Sequence, residues 1–296
     1  MINVAIAGYG NVGRFALEAI SEAPDFKLAG VVEVRDLGSP QELQGVKIVK
    51  DIKELSGVDV AILGLPSRIV TQEAKKYLSM GINTVDGMDI HTSILEHRRE
   101  LTPVAKEHNA VSIISSGWDP GTDSVIRTLF EALAPKGITH TNFGEGMSMG
   151  HTVAVKSKDG VKNALSITIP RGTGLHARMV YVELKEGADF AAIEKAIKTD
   201  PYFIHDETTV VQTQDVNSLI DMGHAVNLVR KGVSGKTHNQ IFEYNMKANN
   251  PALTSQVLVS CARASTKMAP GCYTMIEIPV IEYLYGDKED LIKRLV

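Results

Sequence analysis

The chain has 296 residues, 44% of them hydrophobic, and a formal net charge of −4 from 31 Lys and Arg against 35 Asp and Glu. This length and apolar content allow two domains with substantial cores. The basic residues form no blocks, and no apolar run approaches the roughly 18 residues of a membrane-spanning helix, so we expect no nucleic-acid or membrane partner. The composition therefore favours a protein that binds small molecules.

Cys261 and Cys272 are the only cysteines, and neither has a neighbour at the spacing of a zinc or redox motif. We predict core packing or an idle surface position for both, and no metal site. No signal peptide is recognisable before the first predicted strand, and the expected compartment is the reducing cytoplasm.

A glycine motif follows the first predicted strand, a run of small and apolar residues at 2–7. Residues 8–13 read GYGNVG, the spacing in which successive glycines allow a tight turn, the approach of a pyrophosphate, and close helix packing. The apolar residues after the motif recur at helical spacing. The pattern predicts a dinucleotide-binding loop, whose expected contacts are Gly8, Tyr9, Gly10, Asn11 and Val12.

The end of the second predicted strand, 26–34, carries two conflicting signals for the cofactor. Glu33 lies where an acid commonly binds the ribose hydroxyls of NAD, whereas Arg35 could pair with the 2′-phosphate of NADP. A carboxylate facing that phosphate would repel it, so the outcome depends on which side chain turns inward. A solvated turn is the alternative for both residues.

Strands and helices then alternate, which predicts an α/β fold with a Rossmann-type parallel sheet over residues 1–118. Further strands are predicted at 46–49, 58–63, 83–85 and 110–114, and helices at 68–79 and 93–109. Two strand ends carry residues suited to a ligand, although Asp86 or Asp89 could merely cap a helix. The additional cofactor-binding candidates at these ends are Gly64, Leu65, Pro66, Ser67 and Met88.

Residues 114–124, ISSGWDPGTDS, join the last of these strands to a predicted helix at 121–134. Loops of this kind lie at the carboxyl edge of a parallel sheet, where ligands of α/β proteins bind. This loop holds the acid Asp119 and the only tryptophan, Trp118. A simple hinge between domains is the alternative interpretation.

Residues 119–250 are predicted to form a second, α+β domain. Its strands are expected at 138–143, 165–169, 177–184, 208–212, 225–230 and 238–246, with a helix near 188–198. Thr168, Arg178 and His224 could together grip a carboxylate, although each alone is more often a surface residue. His151 is expected to be a core or helix-start histidine. A helix from 251 to about 268, with part of the tail, is expected to complete the first domain.

Four motifs in order give the chain a full-length resemblance to the meso-diaminopimelate dehydrogenases. They are GYGNVGR at 8–14, TVDGMD at 84–89, SGWDPG at 116–121 and GMSMGH at 146–151. The last, extended by Thr152, resembles the broader-specificity subgroup called type II. The resemblance implies a homodimeric NADP-dependent enzyme that oxidatively deaminates the D-centre of meso-2,6-diaminopimelate. The expected products are L-2-amino-6-oxopimelate, ammonia and NADPH, and the reverse reaction would serve lysine and cell-wall precursor synthesis.

The same resemblance implies roles for individual residues, with a second domain that binds substrate and forms the dimer. Asp89 and Asp119 correspond to the catalytic acids that hold the ammonium of the D-centre, and Thr168, Arg178 and His224 to the group that holds the distal carboxylate. The remaining substrate-binding residues implied by the resemblance are Trp118, Phe143, Met149, Gly150 and Asn250. The implied chemistry is hydride transfer to the nicotinamide, followed by attack of water on the imine.

This chain departs from the family at the end of the second strand, where hydroxyl or basic residues are common but Glu33 and Val34 precede Arg35. NADP(H) remains the expected cofactor, and Glu33 makes use of NAD(H) possible. A dehydrogenase for another D-amino acid or diamino acid is the alternative enzyme. A non-catalytic dinucleotide sensor is the alternative of a different class, and the two acids near the nicotinamide argue against it.

Overall fold

A computed structural model describes residues 1–38, 40–219 and 223–296 of the chain. Its strands are β1 Ile2–Ala7, β2 Phe26–Val32, β3 Ile48–Val49, β4 Val60–Leu63, β5 Asn83–Asp86, β6 Val111–Ile114, β7 Lys136–Phe143, β8 Gly146–Met147, β9 Val161–Gly172, β10 Leu175–Leu184, β11 Glu207–Gln212, β12 Gly223–Ser234, β13 Thr237–Asn249 and β14 Gly271–Thr274. Its helices are α1 Asn11–Ser21, α2 Ser67–Leu78, α3 Ile94–Glu107, α4 Thr122–Leu133, α5 Met149–Lys156, α6 Phe190–Lys198, α7 Asn250–Ser265 and α8 Lys288–Leu295.

The chain folds into two units, one of residues 1–126 with 251–296 and the other of residues 127–250. The sequence placed the first boundary after Trp118, but the first unit continues into α4. Val125 packs against the apolar core of the first unit, which explains why the opening turn of α4 belongs there.

The first unit is a parallel sheet in the order β14-β6-β5-β4-β1-β2-β3. Its central strands are apolar on both faces because helices cover both sides. Alternate residues of β1 show this: Val4 and Ile6 pack in the cluster that includes residues of α1 and α7, and Ala5 and Ala7 in the cluster that includes residues of α2 and α3. The predicted Rossmann-type sheet is confirmed.

The second unit contains two smaller sheets, β11-β10-β9-β8 and β13-β12-β7. Pairing is antiparallel except between β10 and β11, which run parallel. Apolar residues of β9, β10 and α6, with Val155 and Phe203, form the core of the first of these sheets. The unit is α+β, as predicted.

Within the described part of the chain, no helix has the length and apolar character needed to cross a lipid bilayer.

Candidate active site

The order in which strands are added to the parallel sheet reverses between β1 and β4. β2 and β3 continue to one side of β1, and β5, β6 and β14 to the other side of β4. Ligands of open α/β sheets bind at the carboxyl ends of the strands at such a point. The loops that follow β1 and β4 touch there: Gly8 has a φ of +90°, and a Cβ on it would lie 2.6 Å from the Gly64 carbonyl oxygen.

The other two glycines of the motif differ in their surroundings. A Cβ on Gly13 would lie 2.1 Å from the Gly8 carbonyl oxygen, whereas a Cβ on Gly10 would meet no atom within 4 Å. Gly10 also precedes α1, whose first turn has neither a side-chain cap nor an acidic residue. Uncapped amides at a helix start attract phosphate groups. The open side of Gly10 and the start of α1 therefore fit a pyrophosphate.

We expect Gly13→Ala to impair stability and Gly10→Ala to impair cofactor binding. Gly13→Ala should destabilise the free protein by about 1–3 kcal/mol, because the added methyl overlaps backbone. Gly10→Ala should leave the thermal midpoint of the free protein unchanged but weaken dinucleotide binding by about tenfold or more, because the methyl enters the space of the pyrophosphate. Thermal unfolding and fluorescence titration with NADPH measure the two effects. Equal destabilisation by both variants would contradict this interpretation.

Glu33, rather than Arg35, is the side chain that turns inward at the end of β2. The side chain of Glu33 is 5% exposed and that of Arg35 is 62% exposed. The Glu33 carboxylate accepts the N–H groups of Tyr9 (2.9 Å) and Arg35 (3.0 Å), and the guanidinium of Arg35 at 3.1 and 2.6 Å. The hydrogen bond from Arg35 holds the pKa of Glu33 at about 2, against the opposing effect of burial.

This pair lies in the lining of a cleft of about 630 Å³ formed by residues 33–38, 48–50 and 54. Its volume is within the usual range for a small-molecule site. The Glu33 oxygens are already occupied by donors of the protein itself. Of this pair, it is therefore the Arg35 guanidinium, and not the carboxylate, that is offered to a ligand in the cleft. Together with the open side of Gly10, the cleft fits the adenosine half of a dinucleotide.

Asp89 is exposed in the loop after β5 and contacts the first residue of α2. Ser67 Oγ donates to Asp89 Oδ1 at 2.7 Å, and the Asp89 amide donates to Ser67 Oγ at 3.3 Å. Ser67, predicted to contact the cofactor, therefore orients an acid. Met88, also predicted to contact the cofactor, has a 5% exposed side chain within the core that packs α2 and α3.

The loop after β6 is a tight turn that requires glycine. The Gly117 amide donates to the Pro120 carbonyl at 3.0 Å, and the Thr122 amide donates to the Gly117 carbonyl at 3.1 Å. A Cβ on Gly121, whose φ is +141°, would lie 2.0 Å from the Gly117 carbonyl oxygen. The turn buries Trp118 and leaves Asp119 half-buried. It thus holds an acid at the carboxyl edge of β6, beside the strand that precedes Asp89.

In the second unit, Thr168 and Arg178 face each other across the antiparallel pair β9 and β10. Arg178 Nη1 donates to Thr168 Oγ1, and Arg178 Nε donates to Asp206 Oδ2 at 2.5 Å. The Arg178 side chain is 12% exposed. A guanidinium held at two of its nitrogens is preorganised to bind a carboxylate.

Phe143 links two imidazoles beside this pair. Its amide donates to His176 Nε2 at 2.8 Å, and its ring meets the His224 ring edge-on with centroids 6.3 Å apart. Burial, and then the charge of Arg178, lower the pKa of His176; burial is likewise the main cause that lowers the pKa of His224. Lowered pKa values favour the neutral form of both imidazoles, so that Arg178 carries the positive charge of this cluster. His224 also lines a cavity of about 420 Å³.

The remaining predicted substrate residues lie on helices. Gly150 is exposed at the start of α5, where a Cβ would lie 3.7 Å from the ring of Tyr202. Asn250 is the half-buried first residue of α7. The Met149 side chain lies outside the described part of the chain.

His151 has the surroundings of a core histidine. Its Nδ1 lies 2.8 Å from Ser148 Oγ and its Nε2 donates to the Tyr202 carbonyl at 2.9 Å, while its ring packs edge-on against Phe203. Burial is the largest cause that lowers its pKa, to about 4. The cysteines are also core residues, since both are buried in the apolar clusters of the first unit, and this burial raises the pKa of each thiol to about 12.

Sequence reasoning missed Asp206 and His176, which contact Arg178 and Phe143. Asp206 reaches Arg178 because β11 runs parallel to β10 with Thr208 opposite Arg178. No local pattern marks Asp206. His176 could have been found from the strand period, because it lies two positions before Arg178 on β10 and therefore on the same face of the strand.

Comparisons with known proteins agree with this architecture. Residues 117–176 match the family model described as the diaminopimelic acid dehydrogenase C-terminal domain. The chain is 64% identical to the meso-diaminopimelate D-dehydrogenase of Bacteroides fragilis, over 100% of this chain and 99% of that protein.

Two solved structures show the same fold over the whole chain. The C. glutamicum DAP dehydrogenase in complex with DAP matches with a TM-score of 0.89 and 29% identity, covering 100% of this chain and 99% of that one. An engineered D-amino acid dehydrogenase bound to NADP+ matches with a TM-score of 0.82 and 28% identity, with the same coverage. The full-length identity to the B. fragilis protein establishes the family: the chain belongs to the meso-diaminopimelate D-dehydrogenases and is an oxidoreductase.

Proposed function

We propose that the protein catalyses the reversible, NADP-dependent oxidative deamination of the D-centre of meso-2,6-diaminopimelate. The products are L-2-amino-6-oxopimelate and ammonia. One observation carries the proposal: two acids, Asp89 and Asp119, follow the neighbouring strands β5 and β6 at the sheet edge that also bears the dinucleotide loop. A cationic amine needs such carboxylates, because apolar walls alone do not compensate its charge.

In this proposal Asp89 and Asp119 hold the ammonium of the D-centre and take part in its loss of a proton. A dinucleotide held at the glycine loop would supply the acceptor for the hydride of the D-carbon. Ser67 keeps one oxygen of Asp89 in place through the 2.7 Å hydrogen bond. Water then adds to the imine carbon, and release of ammonia leaves the 6-oxo group. Correct placement of the amine is the main contribution of these residues.

The distal L-centre is assigned to the second unit. Arg178 binds its carboxylate, with the hydroxyl of Thr168 and the imidazole of His224 as further hydrogen-bond partners. The family resemblance further assigns to the substrate Trp118, Phe143, Met149 and Gly150, and gives Asn250 a polar contact.

NADP is the proposed cofactor, read by the exposed guanidinium of Arg35. The engineered relative bound to NADP+ supports this choice. Because an acid, Glu33, stands where NAD-binding proteins commonly bind the ribose hydroxyls, we also propose appreciable use of NAD. For this, the carboxylate would first exchange its bond to Arg35 for the ribose.

Arg35→Ser is expected to raise KM for NADP by about tenfold or more while changing KM for NAD much less. The substitution removes a charged hydrogen-bond donor to the 2′-phosphate, a contact worth about 1.5–3 kcal/mol. Initial rates with both cofactors at saturating diaminopimelate measure the effect. Arg294→Ser, which removes an exposed arginine of α8, is the control. A large NADP preference that survives Arg35→Ser would show that another residue reads the phosphate.

A spectrophotometric assay with separated meso, LL and DD isomers of diaminopimelate and with both cofactors tests the proposed function. Turnover of the meso isomer with loss of only its D-centre is the expected result. Faster turnover of D-alanine would favour the alternative of a general D-amino acid dehydrogenase. Binding of NADP without reduction by any D-amino acid would favour a dinucleotide sensor.

We further propose that the protein is a cytoplasmic homodimer and that neither nucleic acid nor a membrane is its partner. Exposed apolar side chains of the second unit, Leu129, Leu133, Ile138 and Ile241, are suited to bury against a second copy. Light scattering at several protein concentrations tests this assembly. A monomer at all concentrations would contradict it.

A further inference from the structure

Asp86, at the end of β5, is a fully buried carboxylate to which the proposed chemistry gives no role. Its Oδ1 accepts the amides of Met88 at 3.0 Å and Ser115 at 3.1 Å, and its Oδ2 accepts Nε2 of His97 at 3.0 Å. An aspartate that only turned its own chain would need the Met88 amide alone. The second amide comes from a loop 29 residues further along the chain.

These contacts reach the backbone beside both proposed acids. Met88 directly precedes Asp89, and Ser115 begins the loop that carries Asp119. The Asp86 carbonyl also accepts the Ser116 amide at 2.7 Å, so two successive amides of that loop point at one residue. Ser115 has a φ of +53°, a left-handed conformation that non-glycine residues rarely adopt. Its hydrogen bond to Asp86 stabilises this conformation.

His97 extends the network to the helices. Thr71 Oγ1 in α2 lies 2.8 Å from His97 Nδ1, and His97 is 2% exposed in α3. Ser67, four residues before Thr71, lies on the same face of α2 and donates to Asp89. Asp89 is therefore held from two sides. On one side the preceding residue, Met88, donates its amide to Asp86; on the other, α2 contacts Asp89 through Ser67 and is linked to the Asp86 carboxylate through His97.

We propose that Asp86 is a positioning residue, which sets the two loops bearing Asp89 and Asp119 relative to each other through the amides of Met88 and Ser115. This inference rests on the proposed function, in which both acids hold one ammonium group. Asp86 is 0% exposed, so the proposal gives it an indirect role, through the loops, rather than a contact with substrate. It affects turnover because a small displacement of either acid misplaces the reacting carbon.

Asp86→Ser, whose single and shorter hydroxyl cannot replace both carboxylate oxygens toward Met88, Ser115 and His97, tests the proposal with Thr84→Val as matched control. Thr84 is also fully buried on β5, and its hydroxyl donates to Ser112 at 2.9 Å without contact to either loop. We expect Asp86→Ser to lower kcat for meso-diaminopimelate by about 10- to 100-fold while the Kd for NADPH changes less than about twofold. Thr84→Val should keep the wild-type kcat.

The conservative variant Asp86→Asn should recover most of the lost kcat. It keeps one oxygen for the two amides and can turn its NH₂ group toward His97, whose ring adopts either tautomer. An Asp86→Asn variant as slow as Asp86→Ser would overturn the proposal, since the amide contacts would then not matter. Should Asp86→Ser fail to fold, Thr71→Val loosens the same network from the His97 end. An unchanged kcat in folded Thr71→Val would equally overturn it.

Hydrogen exchange separates this inference from the proposed function. In Asp86→Ser, exchange at the Met88 and Ser115 amides should accelerate by at least about tenfold relative to wild type, and in Thr84→Val it should not. This measurement needs no substrate. Unaltered exchange would reject the positioning role even in an active enzyme, whereas an inactive wild type with accelerated exchange in Asp86→Ser would reject only the proposed function.

Discussion

Asp119→Asn is expected to lower kcat/KM for meso-diaminopimelate by about 10²- to 10⁴-fold without loss of cofactor affinity. The variant keeps the size of the side chain and its half-buried position after β6. It removes the negative charge, so the loop no longer compensates the ammonium group and no longer offers a basic oxygen for its proton. Steady-state rates, together with the Kd for NADPH from fluorescence, measure both parts of the expectation.

Asp290→Asn is the control for this substitution, because Asp290 is an exposed acid of α8. Its kinetics should equal those of the wild type. Asp89→Asn should resemble Asp119→Asn, and the double variant should lose less than the product of the two single effects if both acids hold one group. Undiminished turnover in a folded Asp119→Asn protein would show that the 114–124 segment only connects a strand to a helix and has no catalytic role.

Arg178→Met is expected to raise KM for meso-diaminopimelate by about 30- to 1000-fold and to change KM for D-alanine by less than about threefold. The loss corresponds to about 2–4 kcal/mol, as expected when one partner of a buried, hydrogen-bonded charge pair is removed. D-Alanine has no distal carboxylate, so it cannot lose this contact. The ratio of the two KM values is the measurement, because a general loss of activity would affect both substrates.

Two further variants sharpen this experiment. Arg171→Met removes an arginine seven positions earlier, whose partner Glu207 is exposed, and should leave both KM values unchanged. Arg178→Met/Asp206→Asn removes the carboxylate that Arg178→Met leaves without its ion pair. The double variant should recover stability but not KM for diaminopimelate. Equal loss for both substrates in every Arg178 variant would assign Arg178 a structural role.

The sequence predicted the fold class because its determinants are local. The glycine spacing at 8–13 and the apolar runs of β1, β4 and β6 are together typical of buried parallel strands joined by helices. The strand ends were less accurate. β2 stops at Val32 rather than at residue 34, where the chain turns Glu33 inward and leaves Val34 74% exposed.

Several features required the tertiary structure. Sequence could not say whether Glu33 or Arg35 faces inward, because the Glu33 carboxylate is held by the Tyr9 amide, which only β-sheet pairing brings near. The extent of the first unit likewise depends on packing, since Val125 joins its core through contacts that helical spacing alone does not reveal.

Local pattern and motif resemblance were sufficient to nominate Asp89, Asp119, Thr168 and Arg178 as site residues, and their roles remain predictions. They did not reveal what orients those residues. Asp206 beside Arg178, and the network from Asp86 through His97 to Thr71, join residues 11 to 29 positions apart. Such contacts form where strands of different sequence position end at one edge of a sheet. For this protein, sequence determined the kinds of element and the chemistry they carry, and only the folded chain decided which buried groups hold that chemistry in place.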